Sequence, residues 1–183
     1  MSLQPDLGQR LARLEARAAI SDLMQDYACA ADRKYTALRQ KQAPETVADA
    51  ARDQAACFTL DGIWAGGRFG GDLQGRAAIE AFFAASPWLL TSHHYGSMSL
   101  RFPPGCTCHT IGDRAFLRWR LLEIGIPESD GRVLLLAGAV DQECLLTDEG
   151  WRIQRMCFTR LHAVELAGQP QALRCLIPAG EPI

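Results

Sequence analysis

Charge of one sign is what this sequence most plainly lacks: 19 Lys+Arg stand against 21 Asp+Glu, a net charge of −2. A polyanion is held through an excess of cations, so no nucleic-acid partner is expected. Long apolar runs are missing too. The longest, Val133 to Val140, falls far short of the roughly 18 residues of a membrane span, and no membrane partner is expected. Met1-Ser2-Leu3-Gln4-Pro5-Asp6 holds no basic stretch followed by an apolar one, so no secretory signal is read. No repeat or low-complexity segment stands out.

Cysteine is present, but not as a framework. Cys29, Cys57, Cys106, Cys108, Cys144, Cys157 and Cys175 are odd in number and scattered, which fits a reducing cytoplasm better than a disulfide scaffold. Cys106-Thr107-Cys108-His109 follows a Pro-Pro-Gly turn and has no second ligand pair at zinc-site spacing, so no metal is expected. With 183 residues, 48% apolar and 22% charged, the chain has the material for one globular domain with a real core.

The N-terminal half reads as helical. Leu7, Leu11, Leu14 and Ala18 recur at three- and four-residue steps, and Ile20, Leu23, Met24, Tyr27 and Ala31 continue the stripe to a helix end near Asp32-Arg33. Lys34 to Pro44 is polar and irregular. A second helix opens at Pro44, with Val47, Ala50, Ala51, Gln54, Ala55 and Phe58 at helical spacing. Asp61-Gly62 reads as a turn, Ile63-Trp64-Ala65 as a short strand, and Gly66 to Gly71 as a hairpin turn. A third helix carries Ala77, Ala78, Ile79, Phe82 and Phe83 and stops at Pro87. Then come four long extended segments, His93–Phe102, Arg114–Glu123, Arg132–Leu146 and Trp151–Glu165, joined by turns as in an antiparallel meander. Helices followed by long strands predict an α+β cone-shaped barrel. Three N-terminal helices pack on a strongly curved, mostly antiparallel sheet around an internal cavity. The domain is expected over residues 1–167, with 168–183 as an extended C-terminal arm.

In order along the chain, Ile20 to Arg33, Cys57 to Trp64, Gly75 to Phe83, Ser92-His93-His94-Tyr95-Gly96, Gly112 to Ala115 and Gly150 to Ile153 resemble the signatures of SnoaL-like proteins. These belong to the nuclear-transport-factor-two-like superfamily. The likeness covers roughly Leu11 to Leu161. Two stretches depart from it: Asp32 to Phe58 is longer than usual, as a lid or an extended dimer contact would be, and Pro103 to Thr110 lengthens one connection. By resemblance to scytalone dehydratase and bile-acid dehydratase, the catalytic positions fall on Tyr27, Asp32 and His93, and a homodimer is implied.

That trio makes chemical sense. Loss of water beside a carbonyl needs a base for a carbon-bound proton and an acid for the leaving hydroxyl, and His titrates nearest neutrality. A carboxylate fixes the imidazole tautomer, and a phenol stabilises an incipient enolate. Residues five apart on a helix diverge by roughly 140°, so Tyr27 and Asp32 converge only if the helix loosens or the cavity wraps its end. His93 and His94 face opposite sides of a strand, and at most one enters the cavity.

Phe58, Trp64, Tyr95, Trp119 and Phe158 are candidate walls for an aromatic, polyketide-like or steroid-like small molecule. Alternation puts Arg118 with Arg120 on one strand face, and Arg155 with Trp151 and Ile153 on another. Either Arg118 or Arg120, and Arg155, are therefore candidate ligands for a substrate oxygen. The expected function is a cofactor-independent lyase or isomerase, a dehydratase first. A binding or scaffold protein like a dioxygenase small subunit, and a polyketide cyclase, are the alternatives.

Overall fold

The computed structural model describes residues 6–67, 70–129 and 131–166. Two helices, α1 (Leu7–Asp32) and α2 (Pro44–Ala56), are followed by two strands, β1 (Phe58–Ala65) and β2 (Asp72–Gln74), and then by a third helix, α3 (Arg76–Ala84). Four long strands follow: β3 (Trp88–Arg101), β4 (Arg114–Pro127), β5 (Leu134–Thr147) and β6 (Gly150–Glu165). All join one six-stranded sheet in the order β2-β1-β6-β5-β4-β3. Every pairing is antiparallel except β1 with β6. The sheet is strongly curled but not closed, and the helices lie in its concave side. Among the described residues no helix is long and apolar enough to cross a membrane.

The curl comes from local irregularities. Between Ile153 and Arg155, β6 has one residue more than β5 has between Cys144 and Glu143. A second extra residue sits near Arg160, whose φ is 51°. On β3, Ser97 (φ 50°) marks a third, between Gly96 and Ser99. Each such bulge bends its strand and raises its twist.

Several expectations need correcting. The strands run longer than the sequence pattern implied, with β3 starting at Trp88 and β4 reaching Pro127. Asp61-Gly62 is not a turn between elements; it lies inside β1, where the pairing with β6 jumps from Phe58 to Ile63. Phe58 is the first residue of β1 and not part of α2. On α1, Leu7, Leu11, Leu14 and Ala18 are exposed, and the buried line runs through Ala12, Ala16, Ile20, Met24 and Tyr27. Alanines let a helix approach its neighbours closely, so packing selects that face over the adjacent leucines. On α3, Ile79 and Phe83 are buried while Ala77 and Ala78 are exposed. Arg68 and Phe69 of the Gly66–Gly71 hairpin, and the 168–183 arm, lie outside the described residues.

The core is aromatic at the helix–sheet junction. Tyr27 meets Phe58 and Phe83 edge-on at centroid distances of 6.1 and 6.0 Å. Trp119 on β4 donates its indole N–H to Gln142 Oε1 of β5 at 2.9 Å, and Gln142 turns its amide to Met24 Sδ at 3.1 Å. Phe58 is fully buried beneath this junction. Phe58→Ala should cost about 3–5 kcal/mol, because truncation leaves a cavity that rigid neighbours cannot refill. Urea unfolding of wild type and variant measures this as a lowered midpoint at unchanged slope.

Candidate functional site

Asp32 ends α1, where the helix dipole repels negative charge. The structure compensates it with three donors from β3. Thr91 Oγ1 donates to Asp32 Oδ1 at 3.0 Å, and the His93 backbone N–H donates to Oδ2 at 2.8 Å. His93 Nδ1 lies 2.7 Å from Oδ1. An ionised carboxylate only accepts, so Nδ1 carries the proton and Nε2 is left for other work. The opposite face of the ring has a second carboxylate: Glu123 Oε2 is 3.6 Å from His93 Nε2. His93 and Glu123 are direct cross-strand partners on β3 and β4 and so share a sheet face. Tyr95 stacks on the imidazole at 6.0 Å.

Thr91, His93 and Glu123 border a cavity of about 320 Å³, whose walls also include Tyr27, Lys34 and Gln54 together with an aromatic side of Trp64, Phe82, Phe83 and Phe158. Tyr27 reaches the cavity directly. Asp32 acts on it through His93. The helix does not loosen: α1 runs intact through Asp32, and the imidazole bridges the angular gap between the two positions.

The remaining wall candidates divide. Trp64 and Phe158 line the cavity, their rings 5.7 Å apart. Phe58 and Trp119 are buried in the core and do not line it, while Tyr95 lies behind His93. Arg118 is on the convex face, paired with both oxygens of Asp141 at 2.6 and 2.8 Å. Arg155 is also outside. The bulge at β6 reverses the alternation, so Trp151 and Ile153 point in, Arg155 and Cys157 point out, and Met156 and Phe158 point in again. His94 is exposed, beside Ser92.

The sequence reading missed Glu123, Lys34, Tyr35 and Gln54. Glu123 had a signal: Leu117, Trp119 and Leu121 alternate inward, and the next inward position is a carboxylate. Lys34 and Tyr35 sit in the irregular segment after α1, and both are buried. Lys34 Nζ donates to Gln54 Oε1 at 2.9 Å and to the Phe83 carbonyl at 3.3 Å. Tyr35 Oη and Ser86 Oγ are 2.5 Å apart. The longer stretch between α1 and α2 thus begins as cavity wall. Among the described residues, no group of three or more His, Cys, Asp or Glu is placed to hold a metal ion.

Electrostatically, burial alone would depress the His93 pKa. Glu123, the hydrogen bond to Asp32 and the Asp32 charge outweigh it and raise the value above 6.5. Burial raises Glu123, with the His93 charge opposing. Burial also pushes the Tyr27 phenol far up, so it remains a donor at any ordinary pH. The amine of Lys34 is lowered to about 8, again by burial, against the pull of Asp32. Trp64 Nε1 is buried and makes no well-formed hydrogen bond among the described residues.

The profile of the SnoaL-like domain matches residues 12–157. No curated protein matches the chain. Among solved structures, a candidate aromatic ring hydroxylase of Novosphingobium aromaticivorans DSM is 25% identical, with TM-score 0.61, over 82% of this chain and 94% of the other. A candidate scytalone dehydratase of Novosphingobium aromaticivorans DSM 12444 is 18% identical, with TM-score 0.63, over 94% and 98%. The hexachlorocyclohexane dehydrochlorinase LinA-type3 of Novosphingobium barchaimii LL02 is 21% identical, with TM-score 0.64, over 92% and 99%.

The two flanking carboxylates set the state of His93, and that can be titrated. In the wild type, NMR of the ring protons should report a pKa above 6.5; in Asp32→Asn/Glu123→Gln, burial and the Lys34 charge act unopposed and the value should fall below it. The linked stability follows: the contribution of the charged imidazole is complete below about 6.5 and is lost as pH rises through the raised value. The double variant should therefore lose that pH dependence.

Proposed function

The chain belongs to the SnoaL-like family, and from that premise we propose that it is a cofactor-independent lyase or isomerase, a dehydratase in the first instance. The substrate is a hydroxylated carbonyl compound with an aromatic, polyketide-like or steroid-like body. One observation carries the reading: an imidazole fixed by Asp32 at 2.7 Å borders the same cavity as the Tyr27 phenol.

The substrate carbonyl accepts from Tyr27 Oη. His93 Nε2 takes the proton from the adjacent carbon, and Asp32 stabilises the imidazolium through Nδ1. The Tyr27 hydrogen bond strengthens as the carbonyl becomes an enolate. The hydroxyl on the next carbon then leaves as water, with its proton supplied by His93 or by Glu123, whose raised pKa suits a donor. Isomerisation differs only in that His93 returns its proton to another carbon. The aromatic side of the cavity, with Trp64, Phe82 and Phe158, suits a planar apolar substrate. A protein that only bound such a ligand would have no use for an oriented imidazole beside a buried carboxyl in one wall. This favours turnover over the scaffold alternative.

A panel of aryl β-hydroxyketones, followed by the absorbance of the conjugated enone, tests the reading. His93→Gln and Asp32→Asn should each lower kcat/KM by about 10²–10⁴-fold, and Tyr27→Phe should lower kcat by about 10²-fold. The wild-type rate should rise with pH through the His93 value, because the base form of Nε2 does the work. Equal turnover by His93→Gln and wild type would end the proposal.

A further inference from the structure

Lys34 is a cavity-wall group that acid–base chemistry leaves idle. The sequence contains two lysines, Lys34 and Lys41, among its 19 basic residues; the rest are arginines. Arginine supplies charge as well as lysine does, but it cannot give up its proton to become an amine nucleophile. Lys41 lies toward the surface and pairs with Glu128 at 2.8 Å. Lys34 is only 4% exposed and borders the cavity beside His93 and Glu123. Its two acceptors, Gln54 Oε1 at 2.9 Å and the Phe83 carbonyl at 3.3 Å, are both neutral. No described carboxylate comes within ion-pair distance of Nζ. A lysine needed only as a buried cation is better served by a paired carboxylate. The Phe83 ring, 5.4 Å from Nζ, and the charges of Asp32 and Glu123 favour the ammonium, but burial outweighs them and brings the pKa down to about 8.

We propose that Lys34 is a nucleophile that condenses with the carbonyl of an aldehyde or ketone bound in the cavity to form an imine. The inference rests on the reading that carbonyl compounds enter this cavity, and it deepens that reading by assigning a covalent step. The Nζ lone pair attacks the carbonyl carbon, forming C–N while the C=O π pair moves to oxygen. One proton leaves nitrogen and one reaches oxygen, giving the carbinolamine. Its hydroxyl departs as water with a proton from Glu123 or His93, and the nitrogen lone pair forms C=N. The protonated imine is a stronger electron sink than a hydrogen-bonded carbonyl, so the neighbouring C–H is more readily surrendered to His93 Nε2. After loss of the β-hydroxyl as water, addition of water across C=N releases the enone and restores the amine.

The full chain, incubated with benzaldehyde and sodium borohydride, reports the imine directly, because hydride reduces C=N to a stable benzylamine. Intact mass and peptide mapping locate the label. One benzyl group per chain is expected, on Lys34 at least tenfold faster than on Lys41. The rate should climb with pH through about 8, and unfolding in urea should erase the preference. Lys34→Met and Lys34→Arg should lose the fast phase. Mapping of wild type needs no variant, so a folding defect in either cannot obscure the outcome. Equal labelling of Lys34 and Lys41 in the folded chain, or an undiminished fast phase in Lys34→Met, would overturn the imine. The same result in a protein that still dehydrates β-hydroxyketones would leave the acid–base reading standing. A labelled Lys34 with turnover insensitive to His93→Gln would do the reverse.

Discussion

The Asp32 carboxylate holds the site together. It ends α1 where the helix dipole makes a negative charge costly, and it survives there because β3 supplies a hydroxyl, a backbone N–H and an imidazole. Those three bonds fasten the helix end to the sheet across about 60 residues of sequence. They also fix one tautomer of His93. A structural fastening and a chemical arrangement are thus the same set of bonds, and neither can be altered without the other.

A second constraint acts from the far side of the imidazole. Glu123 is buried on the inward face of β4 and lies 3.6 Å from an ionisable ring. His93 lies between two carboxylates in a wall otherwise formed largely by aromatic rings. Burial disfavours charge on His93 and Glu123 and their mutual attraction favours it, while the Asp32 charge favours the imidazolium and opposes a charged Glu123. The balance raises both His93 and Glu123, so the pair holds protons at higher pH than either group would in water.

Much of the architecture was legible in the sequence, because helical and strand periodicities are long and the turns between the last four strands are rich in Gly, Pro and Asp. The face of α1 was misjudged because leucines outweigh alanines in any count of hydrophobicity, while packing rewarded the smaller residues at 12 and 16. Arg155 was misplaced for a different reason: strict alternation carries through a strand only if no residue is inserted, and the bulge after Ile153 cannot be read from residue types. Glu123 was within reach of the alternation already drawn for β4. Lys34 was not. Its burial depends on α2 and α3 closing over a segment that has no periodicity of its own.

The parallel pairing of β1 with β6 has a consequence for how the molecule is made. Phe58 and Ile153 are neighbours in the sheet although about 95 residues separate them along the chain. The intervening strands can zip up as successive hairpins. The strand carrying Trp64 must wait unpaired on that side until β6 has left the ribosome. For much of its synthesis the nascent polypeptide therefore exposes a half-finished aromatic wall, and chaperone demand should be greatest in that interval.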